Sequence, residues 1–141
     1  GAFAAGDKPL RSYLLNKARS FIFSTAPAPA CAAAALAAVE ILQEHGQSMA
    51  GRVLEKAAFF KRTLIDAGLH TLPDACAQIQ PVIFGGEKQV MEAQGRLMEE
   101  NVFARGIRPP TVAPDACRIR FSVSLGHEPA DLAKAALALK K

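Results

Sequence analysis

The sequence predicts an α/β chain: long helices first, then a small α+β layer pair. Two observations carry this. Residues 26–67 hold helical spacing with an unusually high alanine content, whereas from Leu69 onward short alternating stretches are separated by glycine and proline, up to a last helical stretch. Read in order from Leu69, the pattern is strand, strand, helix, strand, strand, helix, a small sheet with helices on one face.

Each element has its own signal. GAFAAG (residues 1–6) reads as a short buried strand or turn. Asp7 caps a helix running through Lys17, with Pro9 in its first turn, where a missing N–H costs nothing. Phe21-Ile22-Phe23 leads into Ser24-Thr25, and Pro27 and Pro29 stand in or just before the next helix, Ala30 to His45, which Gly46 is expected to end. A second long helix follows from Ser48 to Ala67. Its inward stripe is Met49, Val53, Ala57, Phe60, Leu64 and Ala67, with Glu55, Lys56, Lys61, Arg62 and Asp66 toward water and Gly68 closing it.

Leu69 to Leu72 and Gln78 to Phe84 are the first two strands, Pro81 placing the second at an edge or a bulge. Gly85-Gly86 turns the chain into a helix from Glu87 to Asn101, where Gly95 implies a close packing contact. Val102 to Ile107 and Arg118 to Leu125 complete the strands. Glu128 to Lys141 is the closing helix, with Leu132, Ala135, Ala136 and Leu139 inward.

Composition excludes several classes. The net charge is only +4, and the basic residues are interspersed with acids, so no clustered face for nucleic acid is expected. The longest apolar stretch, Ala26 to Leu42, is interrupted by Pro27, Pro29 and Glu40, so no membrane span is expected. Cys31, Cys76 and Cys117 are odd in number and widely spaced. They read as small core residues of a cytoplasmic protein rather than a disulfide frame or zinc site. Residues 1–6 lack the basic start of a signal peptide. No ligand spacing suggests a metal, and no motif suggests hydrolysis. Of the histidines, His45 is placed at a helix C-terminus, His70 beside a strand and His127 at the start of the last helix, all structural.

The stretch GIRPPTVAPDACRIRFSVSLGH, residues 106–127, is the most informative. In Arg108-Pro109-Pro110-Thr111 each proline holds its own φ near about −65° and biases the residue before it toward extended backbone. A guanidinium held this way offers a planar donor fork that fits a carboxylate or phosphate at two points. The plainer alternative is a surface arginine paired with Glu99 or Glu100. After the turn, Ile119, Phe121, Val123 and Leu125 alternate onto one face of a half-buried strand. The hydroxyls of Ser24 and Thr25, ahead of a proline-initiated helix, read either as an N-cap pair or as an anion site.

RPPTV, a short linker, R-I-R and then a histidine resemble the carboxy-terminal signature of the 8-amino-7-oxononanoate synthases, in the α-oxoamine synthase branch of fold-type I pyridoxal-phosphate (PLP) enzymes. GAFAAG, RSFIFSTAPAP and the alanine-rich helix resemble the segment after the cofactor-binding lysine. The resemblance covers essentially the whole chain but only about the last third of such an enzyme. SLGH and FSTAPAP depart slightly from the commoner S-A-x-H and F-S-T-x-x-P-P.

The resemblance implies that residues 1–45 are the end of the PLP-binding large domain with a bridging helix, and residues 46–141 the small C-terminal α+β domain. It implies a PLP-dependent acyltransferase of biotin synthesis, a homodimer. The enzyme would condense L-alanine with a pimeloyl thioester, carried on coenzyme A or acyl carrier protein, to give 8-amino-7-oxononanoate and CO2. Arg108 and Thr111 would bind the amino-acid substrate, and Ser24 and Thr25 the PLP phosphate of the neighbouring subunit. No residue here is assigned a catalytic role. The Schiff-base lysine would lie upstream, in a missing N-terminal portion, so this segment alone is expected to be inactive. Two alternatives stand beside this one: another α-oxoamine synthase of the glycine C-acetyltransferase type, and a non-catalytic α+β interaction module.

Overall fold

Asp7 starts the first helix, its carboxylate accepting the Leu10 N–H at 3.1 Å, with Pro9 in the first turn. The computed structural model describes residues 3–75 and 77–140. Helix α1 (Lys8–Lys17) is followed by the single turn α2 (Arg19–Ile22) and by α3 (Pro29–Asp66). Then come β1 (Ile79–Ile83), α4 (Glu87–Glu99), β2 (Arg105–Ile107), a 3₁₀ turn at Pro114–Ala116, β3 (Arg118–Ser122) and α5 (Pro129–Lys140). The chain forms two compact units, Gly1–Glu44 and His45–Lys141.

In the first unit no described residue is buried, and the apolar Phe21, Ile22, Phe23, Leu36, Val39, Ile41 and Leu42 are exposed. Residues 3–6, expected in a buried strand or turn, are irregular and exposed, while Gly1 and Ala2 lie outside the described residues.

The two long helices expected around Gly46 are one, α3, 38 residues long. A glycine inside a helix costs about 1 kcal/mol relative to alanine, which weakens a helix without ending it. A stop of the glycine C-cap kind needs the left-handed backbone. Among the described glycines that conformation occurs at Gly68, with φ +79°. There the helix does end, the Leu69 N–H returning to the Leu64 carbonyl at 3.0 Å. His45 is therefore inside a helix rather than at its end.

The second unit is built on an antiparallel sheet in the order β1-β3-β2. Ile119, Phe121 and Val123 point into the core, where they meet Ala57, Phe60 and Leu64 of α3, Val90, Ala93 and Leu97 of α4, and Leu132, Ala135, Ala136 and Leu139 of α5. Phe60 meets Phe121 edge-to-face, ring centroids 5.1 Å apart. Helices thus cover one face of the sheet. Of the stripe expected along the second half of α3, Ala57, Phe60 and Leu64 are buried, Met49 and Val53 are half-buried, and Ala67 is half-buried just past the helix end.

Several expectations shift. Leu69 to Leu72 contributes a single bridge, Thr71 to Val82, rather than a strand, and the strand expected from Val102 starts at Arg105. Lys56 and Lys61 do not simply face water. The Lys56 ammonium donates to the Leu125 carbonyl at 3.0 Å and also to that of His127, and Lys61 donates to the carbonyls of Pro73 at 2.6 Å and Ala75 at 3.1 Å. Loops with unpaired carbonyls draw these cations in. Of the cysteines, Cys117 is buried but Cys31 is exposed, contrary to the core reading, and Cys76 lies outside the described residues.

Helix α4 ends with Asn101 in the left-handed region at φ 58°, its following residue Val102 bonding back to Leu97 at 2.8 Å. The close contact expected at Gly95 is absent, since a Cβ added there meets nothing within 4 Å. Gly95→Ala should therefore stabilise the chain by about 0.5–1 kcal/mol through helix propensity alone. Urea denaturation checks it, and a loss of stability would show that the site is filled.

Candidate functional site

Strand β2 ends at Ile107 and delivers Arg108 into the turn. The Thr111 N–H closes it on the Arg108 carbonyl at 3.0 Å, and the Pro109–Pro110 peptide is cis. The 3₁₀ turn then returns the chain to β3, where Arg118 faces Ile107 in register and donates through Nε to the Ala116 carbonyl at 2.9 Å. A paired strand end thus fixes where Arg108 leaves the sheet.

The Arg108 guanidinium does not pair with Glu99 or Glu100. Its Nη1 lies 3.2 Å from Oε1 of Glu87, the first residue of α4. The approach of α4 to β2 brings this partner in. Gly106 donates its N–H to Gln94 Oε1 at 2.7 Å, and a Cβ at Gly106 would stand 2.7 Å from Val90 Cγ1. Only a residue without a side chain lets the helix sit this close.

With side chains 44% and 58% exposed, the Arg108–Glu87 pair is a wet ion pair of the kind that contributes little to stability. Its contact is single-point. A guanidinium has five N–H donors, so the fork retains capacity for a second carboxylate. Thr111 shares the turn and is exposed, its hydroxyl without a hydrogen-bond partner among the described residues. The arrangement is an accessible carboxylate holder with a hydroxyl beside it.

Ser24 and Thr25 lie in the other unit, between α2 and α3. They do not cap α3, which begins at Pro29 and receives its first bonds on the Ala28 carbonyl, from Cys31 at 2.9 Å and Ala32 at 3.2 Å. Pro27 and the residues around it carry the chain past the hydroxyls before the helix starts. The Ser24 hydroxyl donates to the Ser20 carbonyl, while that of Thr25 is exposed and without a partner among the described residues. Thr25 is ready to donate to a phosphate oxygen, and Ser24 can do so after rotating about χ1. The pair thus offers two hydroxyls to an anion.

Glu87 is the site residue that sequence reasoning missed. It was legible only as the acidic first residue of a helix, and its meeting with Arg108 depends on tertiary packing. The last helix, expected to begin at His127, starts two residues later, at Pro129. The His127 Nδ1 accepts the Ser124 N–H at 3.1 Å. Among the described residues no cluster of His, Cys, Asp and Glu could hold a metal ion, and no helix is long and apolar enough to cross a membrane.

The chain resembles known proteins along nearly its whole length. The sequence profile of aminotransferase class I and II matches residues 1–139. The 8-amino-7-oxononanoate synthase of Geobacter metallireducens is 44% identical over 136 residues, 96% of this chain and 34% of that protein. That of Pelobacter propionicus is 43% identical, across 96% of this chain and 35% of its own length. The chain therefore spans about a third of the curated relatives it matches. Among solved structures, the 8-amino-7-oxononanoate synthase of Francisella tularensis superposes with a TM-score of 0.77 at 19% identity, covering 95% of this chain and 38% of that one. A serine palmitoyltransferase of Sphingomonas wittichii reaches 0.81 at 19% identity, covering 94% and 33%.

Proposed function

The chain belongs to the aminotransferase class I and II family and has the fold of the C-terminal part of its fold-type I members, and from that premise we propose that it is the substrate-holding portion of an 8-amino-7-oxononanoate synthase. Residues 1–45 would be the end of the PLP-binding large domain with its bridging helix, and residues 46–141 the small domain. The complete enzyme would be a cytoplasmic homodimer that joins L-alanine to a pimeloyl thioester with loss of CO2.

The observation that carries the reading is Arg108. It stands at a strand end fixed by β3, in a proline-stiffened turn, and already holds a carboxylate by one of its nitrogens. Alanine's carboxylate would take the remaining donors, and the Thr111 hydroxyl would bond beside it. Two-point binding by a planar fork sets the direction of the Cα–carboxylate bond, which is the positioning a decarboxylative condensation requires. Thr25, with Ser24, would hold the phosphate of PLP bound to the neighbouring subunit. PLP supplies the electron sink for the carbon chemistry. The lysine that would hold its aldehyde is expected in the N-terminal portion of the enzyme. The apolar surface of the first unit is consistent with burial against that portion and a second subunit.

The test is the reaction, with the protein expressed from its complete gene. L-Alanine, pimeloyl-CoA and PLP should give free thiol and 8-amino-7-oxononanoate, and this 141-residue segment alone should give neither. Turnover of glycine with acetyl-CoA in place of these substrates would move the assignment to the glycine C-acetyltransferase type. No turnover with either pair would leave the interaction module.

A further inference from the structure

Arg105 and Arg120 are direct partners across β2 and β3, so two exposed guanidiniums project side by side from the same face of the sheet. Like charges placed directly opposite on neighbouring strands destabilise the pair. Three other cations of this unit have acidic neighbours: Arg108 has Glu87, Lys56 has Glu128 and Lys88 has Glu92. Among the described residues, no hydrogen bond or ion pair engages the side chains of Arg105, Arg120 or Lys134.

These three cations line one groove of about 680 Å³, bounded by the residues before β2, the end of β3 and the first half of α5. Its floor includes Phe60, Phe121 and Leu132 of the core. The acid in the lining is Asp131, whose carboxylate accepts the Glu128 N–H at 2.9 Å and so caps α5. Three positive charges against one negative leave an excess of two. Arg108 is not part of the lining, and it follows Arg105 by three residues, roughly 10 Å of extended strand.

We propose that this groove binds a phosphate group, bridged by Arg105 and Arg120, with Lys134 of α5 adding to the positive field of the lining. A phosphate monoester carries about −1.5 to −2 charges at neutral pH and offers three acceptor oxygens. That matches the excess charge and gives each guanidinium a fork to fill. A carboxylate, with one charge and two oxygens, would leave a cation unmatched. The bound anion converts the Arg105–Arg120 repulsion into a shared contact.

Inorganic phosphate is the first probe, titrated into the full chain in mildly alkaline buffer against sodium chloride at matched ionic strength. At about ten times its dissociation constant, phosphate should raise Tm by about 3–6 °C more than the chloride control. The Nε–Hε resonances of Arg105 and Arg120 should move with it, and acetate should do less. Arg105→Gln should raise Tm in phosphate-free buffer, because the opposed charge is gone, and abolish the phosphate increment. Lys134→Gln, at an exposed helix position, should weaken phosphate about two- to five-fold. Equal Tm in phosphate and chloride would overturn the proposal. So would a phosphate increment that survives both Arg105→Gln and Lys134→Gln. A phosphate monoester binding more tightly than inorganic phosphate would identify an organic phosphate as the occupant class, and equal binding would identify the free ion.

Discussion

Arg108→Ala in the complete enzyme should raise the KM for L-alanine by about 30- to 4,000-fold and lower kcat with it. Truncating one partner of a hydrogen-bonded charge pair costs about 2–5 kcal/mol, largely by leaving the other charge unmatched, and each 1.4 kcal/mol is tenfold. The KM for the thioester should stay near its original value, since the fork acts on the amino acid. Arg108→Lys should restore little, because an ammonium is a point charge without the planar two-point geometry. Stability should hardly change, since the ion pair with Glu87 is wet on both sides. Steady-state kinetics with both substrates varied, beside a denaturation curve, separate the effects. An unchanged alanine KM would sink the assignment of Arg108.

The largest expected effect on folding is at Phe60. Its side chain is fully buried, and its ring stands edge-on to Phe121, linking α3 to the central strand. Phe60→Ala should cost about 3–5 kcal/mol, the lost transfer energy together with the cavity left behind. Against the roughly 5–15 kcal/mol that holds a domain folded, that is a large share. Phe60→Leu, which keeps much of the volume, should cost clearly less. Guanidinium denaturation gives both numbers, and a loss below about 1 kcal/mol for the alanine variant would mean that the ring is not a core contact.

What the sequence made legible follows from local rules. Asp7 and Gly68 were readable as helix ends because a cap depends on a few neighbouring residues. The β3 alternation and the inward residues of α5 were readable because burial has the period of the element itself. Gly46 misled, since a glycine permits a helix to end without requiring it, and the good helix formers on either side, Leu42, Gln43 and Glu44 before it and Gln47, Met49 and Ala50 after it, propagate through it. Lys56 and Lys61 misled for another reason, their partners being carbonyls of loops distant in sequence. Of the candidate site, the turn at Arg108 and its hydroxyl neighbour were evident from composition. Glu87 was not, nor was the facing of Arg105 and Arg120. Both depend on strand register and helix approach, which only the assembled sheet defines.

The sheet borders described above also bear on colloidal behaviour. Ile83 sends its N–H away from β3 to the His70 carbonyl at 2.8 Å, so Pro81, two residues earlier, has its nitrogen on that same outer side, with no N–H to offer. On the opposite border β2 is only three residues long, and the N–H of Gly106 is already taken by Gln94. Neither border presents a run of free donors and acceptors on which a foreign strand could grow. If this chain clumps when expressed by itself, the cause lies with the exposed leucines, isoleucines and phenylalanines of its first unit, and mild detergent rather than β-breaking substitutions is the remedy that should keep it in solution.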